Sequence, residues 1–304
     1  MRISTQMIFQ NGAARMGDLQ SGLLKTQEQL ATGRKLLSPS DDPVAASRVL
    51  EISQSQSLNT QYGVNRQSAR NALTQLEGTL AGVTDLVLEI QSAVTAADSG
   101  VLSDSERNII AIDLQARFDS LLGLANTRDA QGNYLFSGYQ ADTPAFVQTA
   151  GGATYQGDSG QTLVQVDASR KMAINASGDQ VFQGGGQDLF QTLSDLVTLL
   201  QTPVATPADQ TALTSGLATA RSNISLALDN ILTVRASAGS RLNELTGLES
   251  LGEDRGVQYA RSLSELQDVD YTQAITQLSQ QQIALEAAQQ SFAKISALSL
   301  FNYL

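Results

Sequence analysis

The sequence predicts a mainly α-helical protein: an elongated rod of long antiparallel, coiled-coil-like helices with a small antiparallel β module inserted mid-chain. Three observations carry this reading. Ala69, Leu73, Leu76, Leu80, Val83, Val87, Ile90, Val94 and Ala97 alternate steps of four and three without error, the 3.5-residue repeat of a coiled-coil seam. The helix holding them reads from Val44 to Ala97, which at 1.5 Å per residue is about 80 Å, longer than a round domain can contain. Between residues 129 and 186 the composition turns to Gly, Asp, Ser and β-formers, so strands and turns interrupt the helices there.

The first helix reads from Met7 to Thr32. Phe9, Met16, Leu19, Leu23 and Leu30 share one face, Gly12 and Thr26 are weaker members, and Gly33 stands at the C′ position. Asp42-Pro43 starts the long helix with a capping carboxylate and an N1 proline. Adjacent Asp41 and Asp42 read as caps, since neighbouring side chains do not face one substrate. Ser103-Asp104-Ser105-Glu106 is a capping box opening a helix to about Arg128. Ile109, Ile112, Phe118, Leu121, Leu122 and Ala125 supply its apolar face. In the β module, Tyr134 to Phe136, Phe146-Val147, Thr162 to Val166, Met172 to Ile174 and Val181-Phe182 read as strands. Gly184-Gly185-Gly186 is its exit; no Lys-Ser/Thr follows, so it is not a phosphate loop. Helix resumes from Gln187 to Gln201. Thr206-Pro207-Ala208-Asp209 opens a further helix to about Leu266, whose heptads run from Leu217 to Ala238 and shift phase at Leu242, Leu245 and Leu248. Four glycines weaken the prediction for its second half.

Asp270, with Gln273 three residues on, caps the last helix. Its seam is Leu278, Leu285, Ala288, Phe292 and Ile295, interrupted by Gln281, and it ends on Leu298, Leu300, Phe301, Tyr303 and Leu304. Chain ends are usually frayed and polar, so an apolar end needs a partner. Either it docks on its own core or it is held for another chain. The plan is nearly palindromic: an N-terminal helix and loop (1–42), a first rod half (43–128), the β module (129–186), a second rod half (187–267) and a C-terminal helix (268–304).

Composition excludes more than it assigns. Nineteen Lys+Arg against 30 Asp+Glu leave a net charge of −11, which disfavours nucleic acid and anionic membranes as partners. With no Cys and no His, Cys–His pairs, His-containing triads and zinc fingers drop out together, and no cofactor is expected. Asp158, Asp167, Ser169, Arg170 and Asp179 in the β module have no recognisable catalytic spacing, so an enzyme is the weaker rival. Glu249, Glu253, Asp254, Asp268 and Asp270 lack the oxygen-ligand spacing of an EF-hand loop. No run approaches the apolar span of a membrane helix, and the opening residues lack a signal-peptide core. The chain is therefore cytoplasmic or exported without a cleaved signal. Charged residues make up only 16%, against about 25% in ordinary domains, so its Gln-, Ser- and Ala-rich helix faces can be buried against neighbours without desolvating many charges.

Several motifs, in this order, resemble the flagellin superfamily over the whole chain. They are Met1-Arg2-Ile3-Ser4-Thr5; Ala31-Thr32-Gly33-Arg34-Lys35 leading to Ser40-Asp41-Asp42-Pro43; Gly132-Asn133-Tyr134-Leu135-Phe136-Ser137-Gly138, then Pro144-Ala145-Phe146; Tyr155-Gln156-Gly157-Asp158; and Ser299-Leu300-Phe301. Pro43, where flagellins typically carry Ala, the ending Phe301-Asn302-Tyr303-Leu304 and the small insert make the chain more similar to the hook–filament junction family than to filament subunits. A short flagellin is the alternative, and another type III-secreted coiled-coil protein a further one. The resemblance implies a structural, extracellular flagellar component that leaves through the type III export channel without a cleaved signal. Its implied partners are copies of itself in a ring, the preceding hook-associated junction protein, flagellin, and an export chaperone at the C-terminal helix. It also implies that the terminal segments polymerise. That assigns the assembly seams to Met16, Leu19, Leu23 and Leu30 at one end and to Leu278, Leu285, Ala288, Phe292, Ile295, Leu300 and Phe301 at the other.

Overall fold

A computed structural model describes residues 2–98 and 102–301, with the side chains at 2–6, 8 and 296–301 outside that description. The predicted fold class holds: helices dominate, and two antiparallel hairpins sit mid-chain. The elements are α1 (Arg2–Thr32), α2 (Pro43–Ala97), α3 (Asp104–Ala125), β1 (Phe146–Thr149), β2 (Gly152–Tyr155), β3 (Leu163–Asp167), β4 (Arg170–Ala173), α4 (Gly178–Phe182), α5 (Leu189–Gln201), α6 (Pro207–Gln267) and α7 (Tyr271–Phe301). The chain forms two compact units: Met1–Asn59 with Asp254–Leu304, and Thr60–Glu253.

The Thr60–Glu253 unit is built on the predicted seam. Every member from Ala69 to Ala97 is buried at 4% exposure or less. Facing it along α6 are Leu217, Ala220, Ile224, Ala227, Ile231, Val234, Ala238 and Leu245. Helix α6 is unbroken through all four glycines that cast doubt on it. Polar pairs set the register: Arg70 reaches Glu249, Arg235 reaches Glu77 (2.6 Å) and Arg221 reaches Asp98 (2.9 Å). As numbers rise along α2 they fall along α6, so the two run antiparallel.

The helix starts follow local chemistry. Ser103 and Glu106 form the reciprocal capping box of α3. At α6, the Asp209 amide donates to Thr206 Oγ1 (3.2 Å), and the Thr206 amide donates to the Asp209 carboxylate (2.8 Å). We expect Thr206→Ala to destabilise this unit by about 1 kcal/mol, read as a lower urea midpoint with an unchanged slope; an unchanged midpoint would show that α6 does not depend on its cap.

Three expectations are corrected. On α3, Ile109 and Ile112 are exposed, while Arg107, Ala111, Leu114, Phe118, Leu121 and Ala125 face the core. Tyr134 makes one isolated antiparallel bridge to Arg128 and Leu135-Phe136 is a turn, so the predicted strand does not form; the segment lies between Gly132 (φ 90°) and Gly138 (φ 67°), with the Tyr134 amide donating to the Ala141 carbonyl (2.8 Å). Val181-Phe182 closes the short helix α4, while β2 is a strand with no counterpart in the sequence reading. In addition, α2 is long and apolar enough to cross a membrane by length and composition alone. Its apolar heptad residues are buried in the unit's core, the ordinary state of a soluble core helix.

The hairpins pair Phe146 with Tyr155 and Leu163 with Ala173, the second pair carrying a bulge between Gln165 and Asp167. Side chains from the long helices grip the backbone of the second hairpin. Arg66 donates to the Val166 carbonyl (3.1 Å), Asn65 to that of Gln165 (2.8 Å) and Arg241 to that of Ala173 (3.1 Å). Beneath the hairpins Phe118, Phe136, Phe146, Phe182 and Phe190 form one aromatic cluster with centroids 4.7 to 5.6 Å apart.

Candidate assembly interface

In the unit of Met1–Asn59 and Asp254–Leu304, the two predicted terminal seams lie against each other. Phe9 meets Phe292 edge-on at 5.4 Å. Gly12 lies under the same ring, so close that a Cβ there would sit 3.0 Å from it. Gly22 faces Gln281, and at the far end the Val269 amide donates to the Gly33 carbonyl (3.0 Å). Helix α1 therefore runs antiparallel to α7.

The contact is shallow. Met16, Leu19, Leu23 and Leu30 on α1, and Leu278, Leu285, Ala288 and Phe292 on α7, are only half-buried; Ile295 is exposed. Leu300 and Phe301 belong to α7, but their side chains lie outside the described residues, as do Tyr303 and Leu304. The most buried members are ones the spacing ranked low or left out. Thr26 is 2% exposed, its hydroxyl satisfied by donating to the Gly22 carbonyl (3.1 Å), and Ala274 is 5% exposed. Ala274 continues the α7 steps backward by four from Leu278, so the spacing did contain it. Phe9, Gly12, Met16, Ala288, Phe292 and Ile295 line an apolar groove of about 200 Å³. Midway, Gln281 interrupts the seam, and its buried side-chain oxygen has no hydrogen-bond partner among the described residues.

The loop between α1 and α2 folds back on this pair. The Lys35 amide donates to the Gln267 carbonyl (2.6 Å), and Arg34 bridges to Asp268. Of the two adjacent carboxylates read as caps, Asp42 caps a helix and Asp41 instead ties the loop together. Asp42 accepts from the amides of Val44 and Ala45, capping α2. Asp41 takes Lys25 Nζ (2.5 Å) and the amides of Leu37 and Ser38. The hydrogen bond from Lys25, then that from the Ser38 amide, holds the Asp41 carboxyl below its usual 3.8. A depressed carboxyl supports the fold above its unfolded value and loses that support as pH falls through the folded value. The Leu37 and Ser38 amide resonances should therefore titrate with a midpoint below 3.8; a midpoint at or above it would mean the loop is not held this way.

Most of the acidic residues weighed as alternatives have partners within the fold. Asp158 accepts from the Tyr139 and Gly160 amides, Asp179 from Ser159 (2.5 Å), and Arg170 pairs with Glu244 (2.6 Å). Glu249 pairs with Arg70, Asp268 accepts from Ser264 (2.5 Å) and Asp270 caps α7. Among the described residues no group of three or more acidic side chains could hold a metal ion.

The chain is similar to known proteins in sequence and in fold. Residues 3–141 match the bacterial flagellin N-terminal helical region. Flagellar hook-associated protein 3 of Escherichia coli is 37% identical, and that of Salmonella typhimurium 35%, each alignment covering 99% of both chains. The crystal structure of flagellar hook-associated protein 3 from Legionella pneumophila superposes with a TM-score of 0.68 at 21% identity, covering 72% of this chain and 98% of that one. With two full-length relatives above 30% identity, the chain belongs to the flagellar hook-associated protein 3 family.

Proposed function

We propose that the chain is a structural subunit of the junction between flagellar hook and filament, the surface on which flagellin polymerises, and that its terminal helices complete their packing only when neighbours cover them. The contrast between the two seams carries this reading. With the same three–four spacing, the Ala69–Ala97 seam is buried throughout, whereas among the described side chains of α1 and α7 only Thr26 and Ala274 are buried. Each terminal helix has 31 residues, and isolated helices draw most of their stability from packing of the apolar face. The ordering cost is offset when a neighbour buries what the pair leaves open.

Charge supports the same division. Met1–Asn59 with Asp254–Leu304 carry nine Lys+Arg and ten Asp+Glu, net −1, while Thr60–Glu253 carry ten and twenty, net −10. A nearly neutral unit can pack among copies with little repulsion or desolvation, and the acidic unit is suited to face water. The partners are neighbouring copies in a ring, the preceding hook-associated junction protein and flagellin. An export chaperone covers the apolar α7 before secretion, which proceeds without a cleaved signal, and the final location is extracellular.

The test uses cells lacking this chain, with hooks checked by microscopy and flagellin counted on cells and in the medium. Intact hooks with flagellin shed into the medium is the expected result. Intact hooks with no flagellin anywhere would make the chain a filament subunit, and normal filaments would remove it from the junction.

A further inference from the structure

A second apolar groove, of about 390 Å³, lies in the loop between α1 and α2 and the first turns of α2. Leu36, Leu37, Pro39, Pro43, Val49 and Leu50 line it, and Leu50 is 71% exposed. Arg34 stands on its wall, with Lys35 and Arg48 exposed nearby. None of the three cationic side chains has an ion-pair partner among the described residues. The neighbouring acids Asp41 and Asp42 are engaged by Lys25 and by the start of α2; Glu265, Asp268 and Asp270 lie beside Lys35 in a separate pocket, and Glu51 is one turn further along α2.

We propose that this groove receives the C-terminal end of α7, from about Leu298 to Phe301, of a second copy of the chain. The inference rests on the junction reading and names the contact that reading leaves open. Three observations select the occupant. The last charged residue of α7 is Lys294, after which Ile295, Leu298, Leu300 and Phe301 follow with small or polar residues between them, chemistry that fits an apolar cleft. A helix C-terminus also presents unpaired carbonyls and the negative end of its dipole, which suits the cations at the rim. The opposite end of the pair, the start of α1, carries Arg2 and the positive dipole end, which the same cations repel. Lastly, the chain cannot fill its own groove. Val269 is pinned to Gly33 beside the groove, and α7 then runs unbroken for 31 residues, so its end lies about 45 Å away along the helix. The contact is therefore heterologous, joining the end of one α7 to the loop of the next subunit, which propagates rather than closes on a two-fold axis.

The chain has no cysteine, so an introduced pair reports this contact alone. Leu50→Cys chains are co-expressed with Leu298→Cys, Leu300→Cys or Phe301→Cys chains in cells lacking the native copy. Sheared flagella are then oxidised and run without reductant. Incorporation is read first: if the parent chain is absent from flagella, the junction reading itself fails. With incorporation established, a mixed product of twice 32.2 kDa is expected from at least one of the three pairings and not from Leu50→Cys with Ile275→Cys. Adding Leu37→Asp to the Leu50→Cys chain should cut the yield about tenfold by placing a charge in the apolar cleft. Incorporation with no mixed product, equal product from Ile275→Cys, or a yield indifferent to Leu37→Asp would each overturn the groove assignment.

Discussion

Replacing Phe292 by Asp will remove the chain from flagella while leaving the Thr60–Glu253 unit folded. Phe292 is half-buried in the α1–α7 contact. It stacks edge-on with Phe9 and covers Gly12, where no side chain could fit beneath it without displacing the ring. Asp loses the ring's burial, worth roughly 2 kcal/mol for a half-buried aromatic, and sets a carboxylate against the α1 backbone. Ile295, a turn further on and exposed, is free to meet a neighbour in the same groove, so Ile295→Asp should weaken assembly with less effect on the monomer. The two readouts are incorporation into sheared flagella and the urea midpoint of the purified chain. We expect incorporation to fall more than about tenfold, since a few kcal/mol act at every subunit contact, with no change in the major unfolding transition. Normal incorporation of Phe292→Asp would mean that this seam lines no interface.

How far the sequence could be read depended on whether size and spacing agreed. On α2 they agreed, because Leu, Val and Ile occupy every seam position between the end members Ala69 and Ala97, and each is buried as expected. On α3 they did not. Ala111, Leu114, Phe118, Leu121 and Ala125 step by three, four, three and four, an error-free seam whose first member is only an alanine. Ile109 and Ile112 are bulkier and lie on solvent, so weighting by bulk moved the predicted face. Helix caps were legible because a cap is local chemistry between residues three apart, as at Ser103 and Thr206. The β module was only half legible. Its strands are four or five residues long, and a short apolar pair such as Val181-Phe182 carries no period to separate strand from helix. At the terminal seams the spacing could not reveal that α1 and α7 would lie against each other, because pairing across about 260 residues leaves no local trace. Arg66 and Arg107 had no sequence signal either. Both are charged side chains buried at 4% exposure, made tolerable by the Val166 carbonyl for Arg66 and by the Leu102 carbonyl and the Asp104 carboxylate for Arg107.

Phe146→Ala should cost the Thr60–Glu253 unit about 3–5 kcal/mol, the usual penalty for emptying a buried aromatic site. Its ring is 1% exposed and contacts Tyr155, Phe182 and Phe190 at 5.1, 5.3 and 4.7 Å. Its backbone is clamped by Asn126, whose amide donates to the Phe146 carbonyl (2.8 Å) and whose oxygen accepts the Phe146 amide (3.0 Å). The site therefore cannot collapse to fill the void. Against a total stability of roughly 5–15 kcal/mol for a domain, that loss is large, and circular dichroism in urea would show it as a lower midpoint. Phe146→Leu, which keeps most of the volume, should cost less than about half as much. Tyr155 supplies a second readout. Burial, then nearby Asp179 and Asp158, push its phenol from the usual 10.0 up to about 12. Because the folded value is raised, this contribution is fully present below pH 10 and is lost as pH climbs toward 12. Opening the cavity beside the ring admits water and should bring the slowest-titrating tyrosine back toward 10, visible in the ultraviolet phenolate band. If Phe146→Ala shifted neither the midpoint nor that titration, the aromatic cluster would not be what anchors the first hairpin to the helices.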